Sequence, residues 1–244
     1  LPGGAYNYTN RVANYRLEEG KSLFEFYMTK NAGINPETGN LMYWKKDGNS
    51  WVKTEDWGAA SSAENYQWCG SAIPNLFGSI TNTIAWKGLD FSMMWYGSFG
   101  GKLYDYMWYE EATGRVGVGL CDNVWGKVWT GPGDTDAEFP KWSHSNSGQT
   151  RRASDFFLFN NDFIRLRNVV LGYSVPKRIV EKAGLSKLRF YVSGDNLCTF
   201  GSAAKRNTDP ETGLLGNNYN GNAVADNGVQ SSRRVYLFGV QLSF

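Results

Sequence analysis

The residue types that could carry catalysis or bind a metal ion are few in this sequence, and they are widely spaced. Cys69, Cys121 and Cys198 form no Cys-x-x-Cys pair, and His144 has no second histidine at ligand spacing, so the sequence predicts no zinc site. No nucleophile elbow accompanies His144, and the glycine-rich stretch 97–101 lacks the lysine and following helix of a phosphate-binding loop. We therefore predict neither an enzyme activity nor a cofactor. A disulfide between Cys69 and Cys121 stays open for a protein outside the cytosol.

Two Pro-Glu-Thr-Gly segments, 36–39 and 210–213, are the remaining places where a metal ion could bind. Glu37, Asp209 or Glu211 could offer an oxygen to Ca²⁺, but neither segment has the several carboxylates that a calcium loop supplies. A turn that begins at proline and is completed by glycine explains both segments without a ligand. The sequence therefore favours turns here over calcium sites.

Aromatic side chains are the most abundant groups with binding potential. They make up 16% of the 244 residues, whereas the net charge is only +2 and gives no reason to expect nucleic acid as a partner. Indole rings can stack on sugar rings or anchor a protein interface. We expect most loop tryptophans to pack against other loops or a covering protein, and fewer to touch a ligand. The candidates for contact with substrate or with such a lid protein are Trp57, Trp68, Trp108, Trp125, Trp129 and Trp142, and Trp51 is another loop tryptophan.

Alternation of apolar with small or polar residues predicts about six β-strands and an all-β fold. The last strand is the clearest, and segments 187–197, 89–96 and 80–86 alternate in the same way. Segment 22–32 is a weaker candidate because its apolar residues are mixed in phase. The apolar row of the last strand consists of Tyr236, Phe238, Val240, Leu242 and Phe244.

Segment 162–174 changes phase within its length. Its apolar residues before and after Asn168 fall on opposite parities, and a one-residue bulge near Asn168 would restore the phase. A short helix should follow, because Pro176 stands at its first turn and Gly184 just past its end.

The connections between these strands alternate between long and short. The long ones are about 33–76, 101–161 and 199–231, and the short ones are the turn at 87–88 and the helical link at 175–186. Loops of this length are uncommon in compact soluble domains. An outer-membrane barrel, in contrast, combines long extracellular loops with short periplasmic turns.

The physics of the bilayer supports the same interpretation. Lipid cannot hydrogen-bond a backbone, so spanning strands must pair on both edges and close into a ring. Natural barrels have at least eight strands, and the sequence predicts about six. We therefore expect part of a larger antiparallel barrel, and a chain that starts at Leu1 without a Met is consistent with a processed or partial polypeptide.

Residues 161–176, Asn-Asp-Phe-Ile-Arg-Leu-Arg-Asn-Val-Val-Leu-Gly-Tyr-Ser-Val-Pro, resemble the C-terminal region of the SusC/RagA family of TonB-dependent outer-membrane transporters. The resemblance continues in residues 188–197, Leu-Arg-Phe-Tyr-Val-Ser-Gly-Asp-Asn-Leu. It covers most of 21–110 and 155–244, while 111–154 has no counterpart.

This resemblance implies a 22-stranded barrel with an N-terminal plug, energised through TonB and capped by a SusD-like surface lipoprotein that captures glycans or peptides. Residues 1–20 would be a periplasmic linker or turn. Residues 21–244 would be the C-terminal part of the barrel, with long extracellular loops and one short periplasmic helix. The protein would lie in outer-membrane lipid of a Gram-negative bacterium. The signal read by the barrel-assembly machinery would be Tyr236, Phe238, Val240, Leu242 and Phe244.

The expected function is therefore TonB-energised import of a glycan or peptide, with no chemistry done on the ligand. Two alternatives remain at this point. One is a secreted β-sandwich that binds glycans, which the Trp-rich and Gly-rich composition would suit. The other is an outer-membrane porin or adhesin barrel. The sandwich accounts for neither the long loop 101–161 nor the terminal Phe244.

Overall fold

The computed structural model divides the chain into two compact units. It describes residues 4–10, 13–105, 108–109, 124–142, 152–202, 209–211, 224–225 and 232–244. The first unit, called the wall unit here, comprises Pro74–Gly100, Asn161–Pro210 and Gln230–Phe244. The second, called the loop unit, comprises Leu1–Ile73, Gly101–Asn160 and Glu211–Val229.

The wall unit is a five-stranded antiparallel sheet in the order β15-β13-β12-β9-β8. Its strands are 9 to 15 residues long, which suits a tilted strand crossing a bilayer. These five strands confirm the five clearest predictions from the sequence. Their bounds are β8 (Leu76–Trp86), β9 (Leu89–Phe99), β12 (Phe163–Ser174), β13 (Lys187–Gly201) and β15 (Val235–Ser243).

Two short links join neighbouring wall strands, as the sequence predicted. Lys87 and Gly88 have φ values of 47° and 90°, the left-handed pair that a type I′ hairpin turn requires. A Cβ on Gly88 would lie 2.7 Å from the Ser174 carbonyl oxygen, so glycine is needed there. The second link contains α2 (Lys177–Val180) and a 3₁₀ turn, and it ends at the left-handed Gly184. Among the described residues, no helix has the length and apolar character needed to span a membrane.

The predicted bulge lies where the sequence changes phase. The register of β12 with both of its neighbours shifts between Leu166 and Asn168. The shift keeps Leu166 and Val169 on one face of the sheet although their numbers differ in parity. Asn196 on β13, beside the same irregularity, has a φ of 52°.

The loop unit consists of three small sheets, with orders β1-β2-β3-β7, β4-β5-β6 and β11-β10-β14. Its core contains fully buried aromatic residues, among them Tyr15, Phe26, Tyr104 and Phe157. The strand bounds are β1 (Tyr6–Asn10), β2 (Ala13–Leu17), β3 (Glu25–Thr29), β4 (Asn31–Ile34), β5 (Leu41–Asp47), β6 (Ser50–Thr54), β7 (Tyr66–Ser71), β10 (Lys102–Asp105), β11 (Leu158–Asn160) and β14 (Val224–Ala225), and α1 spans Trp57–Ala60.

The weaker strand candidate at 22–32 does not form a sixth long strand. It divides between β3 and β4, which belong to different sheets. Phe26 and Met28 of β3 are fully buried in the loop-unit core, which explains why this segment lacks the long apolar row of the wall strands. Residues 1–20, for which the sequence predicted a linker or turn, contain the β1–β2 hairpin.

The first Pro-Glu-Thr-Gly segment is a turn organised around one carboxylate. Asn40 Nδ2 and Thr38 Oγ1 each donate to Glu55 at 2.7 Å, and the Asn35 amide donates to it as well. Burial opposes ionisation of Glu55, but these hydrogen bonds outweigh it and hold its pKa below the ordinary value. The turn is also held from outside, because the Trp129 indole donates to the carbonyl of residue 36 at 2.8 Å.

We expect Glu55→Gln to loosen this turn at neutral pH, where the wild-type carboxylate is ionised, and to have less effect at low pH. Because the folded-state pKa is lowered, the stabilisation is fully present above the unfolded value of about 4.3 and is lost as pH falls through the folded value. Hydrogen exchange of residues 35–40, corrected for intrinsic rates, should therefore be slower in the wild type than in the variant at neutral pH, and the difference should vanish once the pH is below the folded-state pKa of Glu55. Glu37→Gln, an exposed change in the same turn, is the control. A difference that persists at low pH contradicts this account.

Candidate functional site

The wall sheet has one apolar and one polar face. Strand register brings the apolar residues of all five strands onto the same side. Many are exposed in the wall unit, with Ile80 at 73% and Phe238 at 69%. The apolar face contains Ile80, Ile84, Trp86, Leu89, Phe91, Trp95, Leu171, Tyr173, Phe190, Val192, Tyr236, Phe238, Val240 and Leu242.

The opposite face carries charged, hydroxyl and amide groups. Arg165 and Arg189 pair with carboxylates on this face. The Arg167 guanidinium lies 5.0 Å from the Tyr96 ring centroid, a cation–π arrangement. Asn168 donates to Asp195 at 2.7 Å beside the bulge. These contacts cross between strands and tie together the polar side of the wall.

A buried ion pair fixes a loop segment to the wall. Arg165 Nη2 lies 2.5 Å from Asp209 Oδ1, with side-chain exposures of 4% and 5%. Arg165 Nε also donates to Thr199 on the neighbouring strand at 2.9 Å. The second oxygen of Asp209 accepts the backbone N–H of Ser232 at 2.5 Å. The Asp209 carboxylate therefore connects Arg165 on β12 with Ser232, which follows Asp209 by 23 residues in the chain.

A second ion pair spans a strand at a position where that strand has a glycine. Arg189 on β13 makes a two-pronged contact with Asp90 on β9, its Nε lying 3.0 Å from Asp90 Oδ1. The intervening strand contributes Gly172, where a Cβ would collide with the Arg189 guanidinium and lie 2.6 Å from the Asp90 oxygens. The Tyr191 ring likewise lies over Gly239. At Gly172, glycine thus makes room for groups that link two non-adjacent strands.

The six tryptophans predicted as contact residues have different environments. Trp108 is buried in the loop-unit core, and Trp57 packs edge-on against Tyr43 at 5.0 Å. The ring centroids of Trp68 and Tyr27 lie 4.8 Å apart, and the Trp129 indole N–H is hydrogen-bonded to the Pro-Glu-Thr-Gly turn at 36–39. Trp125 and Trp142 are exposed, the former at 77%. Their contact with substrate or a lid protein stays a prediction, for which Trp125 and Trp142 have the accessible rings.

The residues considered for metal binding or a disulfide either have other interactions in the structure or lie outside the described residues. Asp209 binds Arg165, and Glu37 belongs to the hydrogen-bonded turn. Cys69 is a free thiol whose pKa is raised to about 12 by burial, while Cys121 and His144 lie outside the described residues. The part of the chain that the structure describes has no group of three or more His, Cys, Asp or Glu able to hold a metal ion.

Long antiparallel strands with one exposed apolar face and one polar face are typical of the wall of a transmembrane β-barrel. In the comparisons, no family model matches the chain. Two TonB-dependent receptors of Formosa agariphila do match: receptor P3 is 24% identical over 93% of this chain, and receptor P26 is 25% identical over 72%. The aligned part is 23% and 17% of those receptors, so the chain spans a quarter or less of their length.

Solved structures of the RagAB peptide importer have the same fold. Its open-open state matches 99% of this chain with a TM-score of 0.72, and its closed-closed state matches 100% with a TM-score of 0.73. Sequence identity is 25% in both, and the match covers 24% and 25% of those chains. Together with the motif at 161–197, these matches show that the chain is similar to part of a SusC/RagA-type TonB-dependent receptor.

Breaking the Arg165–Asp209 pair from one side should destabilise the wall strongly. Arg165→Met leaves a buried carboxylate without its cation, which costs about 3–5 kcal/mol. Arg165→Met combined with Asp209→Leu removes both charges and should recover part of that loss, although the Ser232 N–H then lacks its acceptor. Urea unfolding of the intact receptor in lipid vesicles measures both.

The control for this pair is Lys177→Met, which removes a cation from the exposed Lys177–Glu181 pair. Exposed pairs contribute little to stability, so this variant should unfold like the wild type. If Arg165→Met also unfolds like the wild type, the buried pair does not stabilise the wall.

Gly172→Ala should separate Arg189 from Asp90, because the new methyl group occupies the space between them. Overpacking of this kind costs about 1–3 kcal/mol. Gly78→Ala on β8 is the matched control, since its Cβ would meet no atom within 4 Å. Vesicle unfolding should show the loss for Gly172→Ala alone, and equal stability of the two variants would mean that the polar face accommodates the methyl group.

Proposed function

We propose that this chain forms wall strands and surface loops of a TonB-energised nutrient importer in the outer membrane of a Gram-negative bacterium. The observation that carries the proposal is the two-faced wall. Its exposed apolar face is suited to lipid, and its polar face, crossed by ion pairs, is suited to an aqueous interior. A soluble β-sandwich would instead bury its apolar strand faces against a second sheet.

The connectivity indicates which ends of the strands face outward. The type I′ turn and the α2 link join strands at one end, and short links are periplasmic in outer-membrane barrels. The loop-unit segments enter and leave the wall strands at the other ends, which supports an extracellular loop unit. Because β2 pairs with β3 and β3 with β7, residues 6–17 belong with these loops, and we favour that placement over a periplasmic linker.

The remaining partners follow from the same assignment. A plug in the rest of the polypeptide would couple to TonB, and a SusD-like lipoprotein would cover the extracellular loops. The solved relatives are named as a peptide importer, so a peptide is one substrate class, and a glycan is the other. Tyr236, Phe238, Val240, Leu242 and Phe244 form an exposed apolar row on the last strand, as expected of a barrel-assembly signal.

Energised import predicts a separation between binding and accumulation. In cells that express the intact receptor, a protonophore or loss of TonB should abolish accumulation of labelled peptides or oligosaccharides, while binding at the cell surface persists. A passive porin would continue to equilibrate under the same conditions. The detergent-extracted receptor should also migrate faster on gels before heating than after. A receptor that stays folded without detergent, or accumulation that survives both treatments, would overturn the proposal.

A further inference from the structure

The β5–β6 hairpin of the loop unit has one packed face and one open face. Leu41 and Tyr43 on the inner side are fully buried against Ala60 of α1. The outer side is not covered in the same way, and Trp51 is 42% exposed there. The hairpin therefore presents a two-stranded surface whose backbone is supported from behind.

Tryptophan and lysine alternate on that outer face. Trp44 is directly opposite Lys53, and Lys46 is directly opposite Trp51. Since residues two apart share a face, all four side chains lie on the same side of the hairpin. The Lys53 ammonium lies 5.5 Å from the Trp44 ring centroid. Each indole thus has a cation beside it, and each strand contributes one of each type.

The two cations are available to a ligand. Lys46 and Lys53 are both exposed, and neither forms an ion pair with any residue that the structure describes. Lysines elsewhere in the protein do have such partners, as Lys127 does with Glu138 at 2.9 Å. The outer face therefore carries two positive charges that no described carboxylate neutralises.

The hairpin holds these groups in a fixed arrangement. Its strands are joined by a two-residue turn with Gly48 at a φ of 57°. The buried Asn65 side chain accepts the Lys46 backbone N–H at 2.7 Å and donates to the Ala59 carbonyl at 2.9 Å. A surface ordered before binding loses less conformational entropy when a ligand arrives.

We propose that the outer face of the β5–β6 hairpin binds an anionic glycan, with sugar rings over Trp44 and Trp51 and carboxylate or sulfate groups at Lys46 and Lys53. The proposal rests on the proposed function, in which the loop unit is extracellular, and narrows its substrate class. Indoles bury the apolar face of a sugar ring, and lysines attract its charges.

The composition of the face argues against two other occupants. Lysine is depleted from the packed centre of protein interfaces, where arginine and aromatic residues dominate. A membrane-surface element separates its apolar residues from its cations onto opposite faces, whereas here they are interleaved on one face. Alternating indoles and lysines on one face do match an anionic polysaccharide, in which each sugar unit offers an apolar ring surface and a charge.

The test measures binding of oligosaccharides to the intact receptor in detergent, together with any lipoprotein that copurifies. The probes are oligomers of polygalacturonate, alginate and chondroitin sulfate, and carboxyl-reduced polygalacturonate serves as the uncharged analogue. We expect at least one polyanion to bind with an affinity that falls as salt is added, and the reduced analogue to bind weakly.

Variants assign that binding to the hairpin. Lys46→Gln with Lys53→Gln should weaken polyanion binding about tenfold, the combined effect expected of two exposed charge contacts. Trp51→Ala should weaken it by about tenfold as well. Lys127→Gln is the matched control, because its ammonium already has a carboxylate partner, and it should leave binding unchanged. Gel mobility before and after heating verifies that each variant is folded.

Several results would overturn the proposal. They are absence of hairpin-dependent binding of all three polyanions, equal binding of the reduced analogue, or an equal loss in Lys127→Gln. Loss of the copurifying lipoprotein in the lysine variant, with glycan binding unchanged, would assign the face to a protein. Hairpin-dependent binding to vesicles of phosphatidylcholine and phosphatidylglycerol would assign it to lipid. None of these results affects protonophore-sensitive accumulation, so failure here is distinct from failure of the importer assignment.

Discussion

A bilayer offers no hydrogen bonds to a peptide backbone, and this constraint accounts for most features of the wall unit. Each wall strand must satisfy its N–H and C=O groups through neighbouring strands, which requires long, continuous pairing. Pairing fixes the direction of every side chain, because successive residues point to opposite faces. The apolar row on β15 can therefore lie in lipid only if the rows of β13, β12, β9 and β8 are in register with it. The bulge at Leu166–Asn168 is what keeps β12 in register along its whole length.

The polar face solves a different problem, which is how to stiffen a sheet that has water on one side. Arg189 and Asp90 are on strands separated by β12, so their contact braces three strands at once. Such a contact can pass over the middle strand only where that strand has no side chain, and Gly172 provides the gap. The glycine that weakens a strand by itself thus permits a link that two adjacent strands could not make.

Local patterns in the sequence were sufficient for the wall and insufficient for the loops. Alternation located all five wall strands, the Lys87-Gly88 turn and the bulge near Asn168, because these features depend on neighbours within a few residues. The pairing of Arg165 with Asp209 joins residues 44 positions apart, and no local pattern encodes that partner. Segment 22–32 was ambiguous for the same reason, since β3 and β4 owe their burial to distant parts of the loop unit. The open face of the β5–β6 hairpin was also missed. Its signal was present in the alternation of Trp44, Lys46, Trp51 and Lys53, but only the pairing register shows that the four share a side.

The two kinds of cation in this protein are used in ways that their chemistry explains. The wall uses arginine, whose planar guanidinium can engage a carboxylate and a hydroxyl at once, as Arg165 does with Asp209 and Thr199. That geometry satisfies a buried charge without water, which suits a permanent structural contact. The hairpin face uses lysine, whose ammonium is a compact, strongly hydrated point charge on a flexible stem. Such a charge remains solvated until a ligand approaches and can follow an anion whose position varies from one sugar unit to the next. The carboxylate-paired Arg165 and Arg189 of the wall therefore suit a part of the chain that must hold its shape, whereas Lys46 and Lys53 of the hairpin, which no described carboxylate neutralises, suit contact with an external ligand.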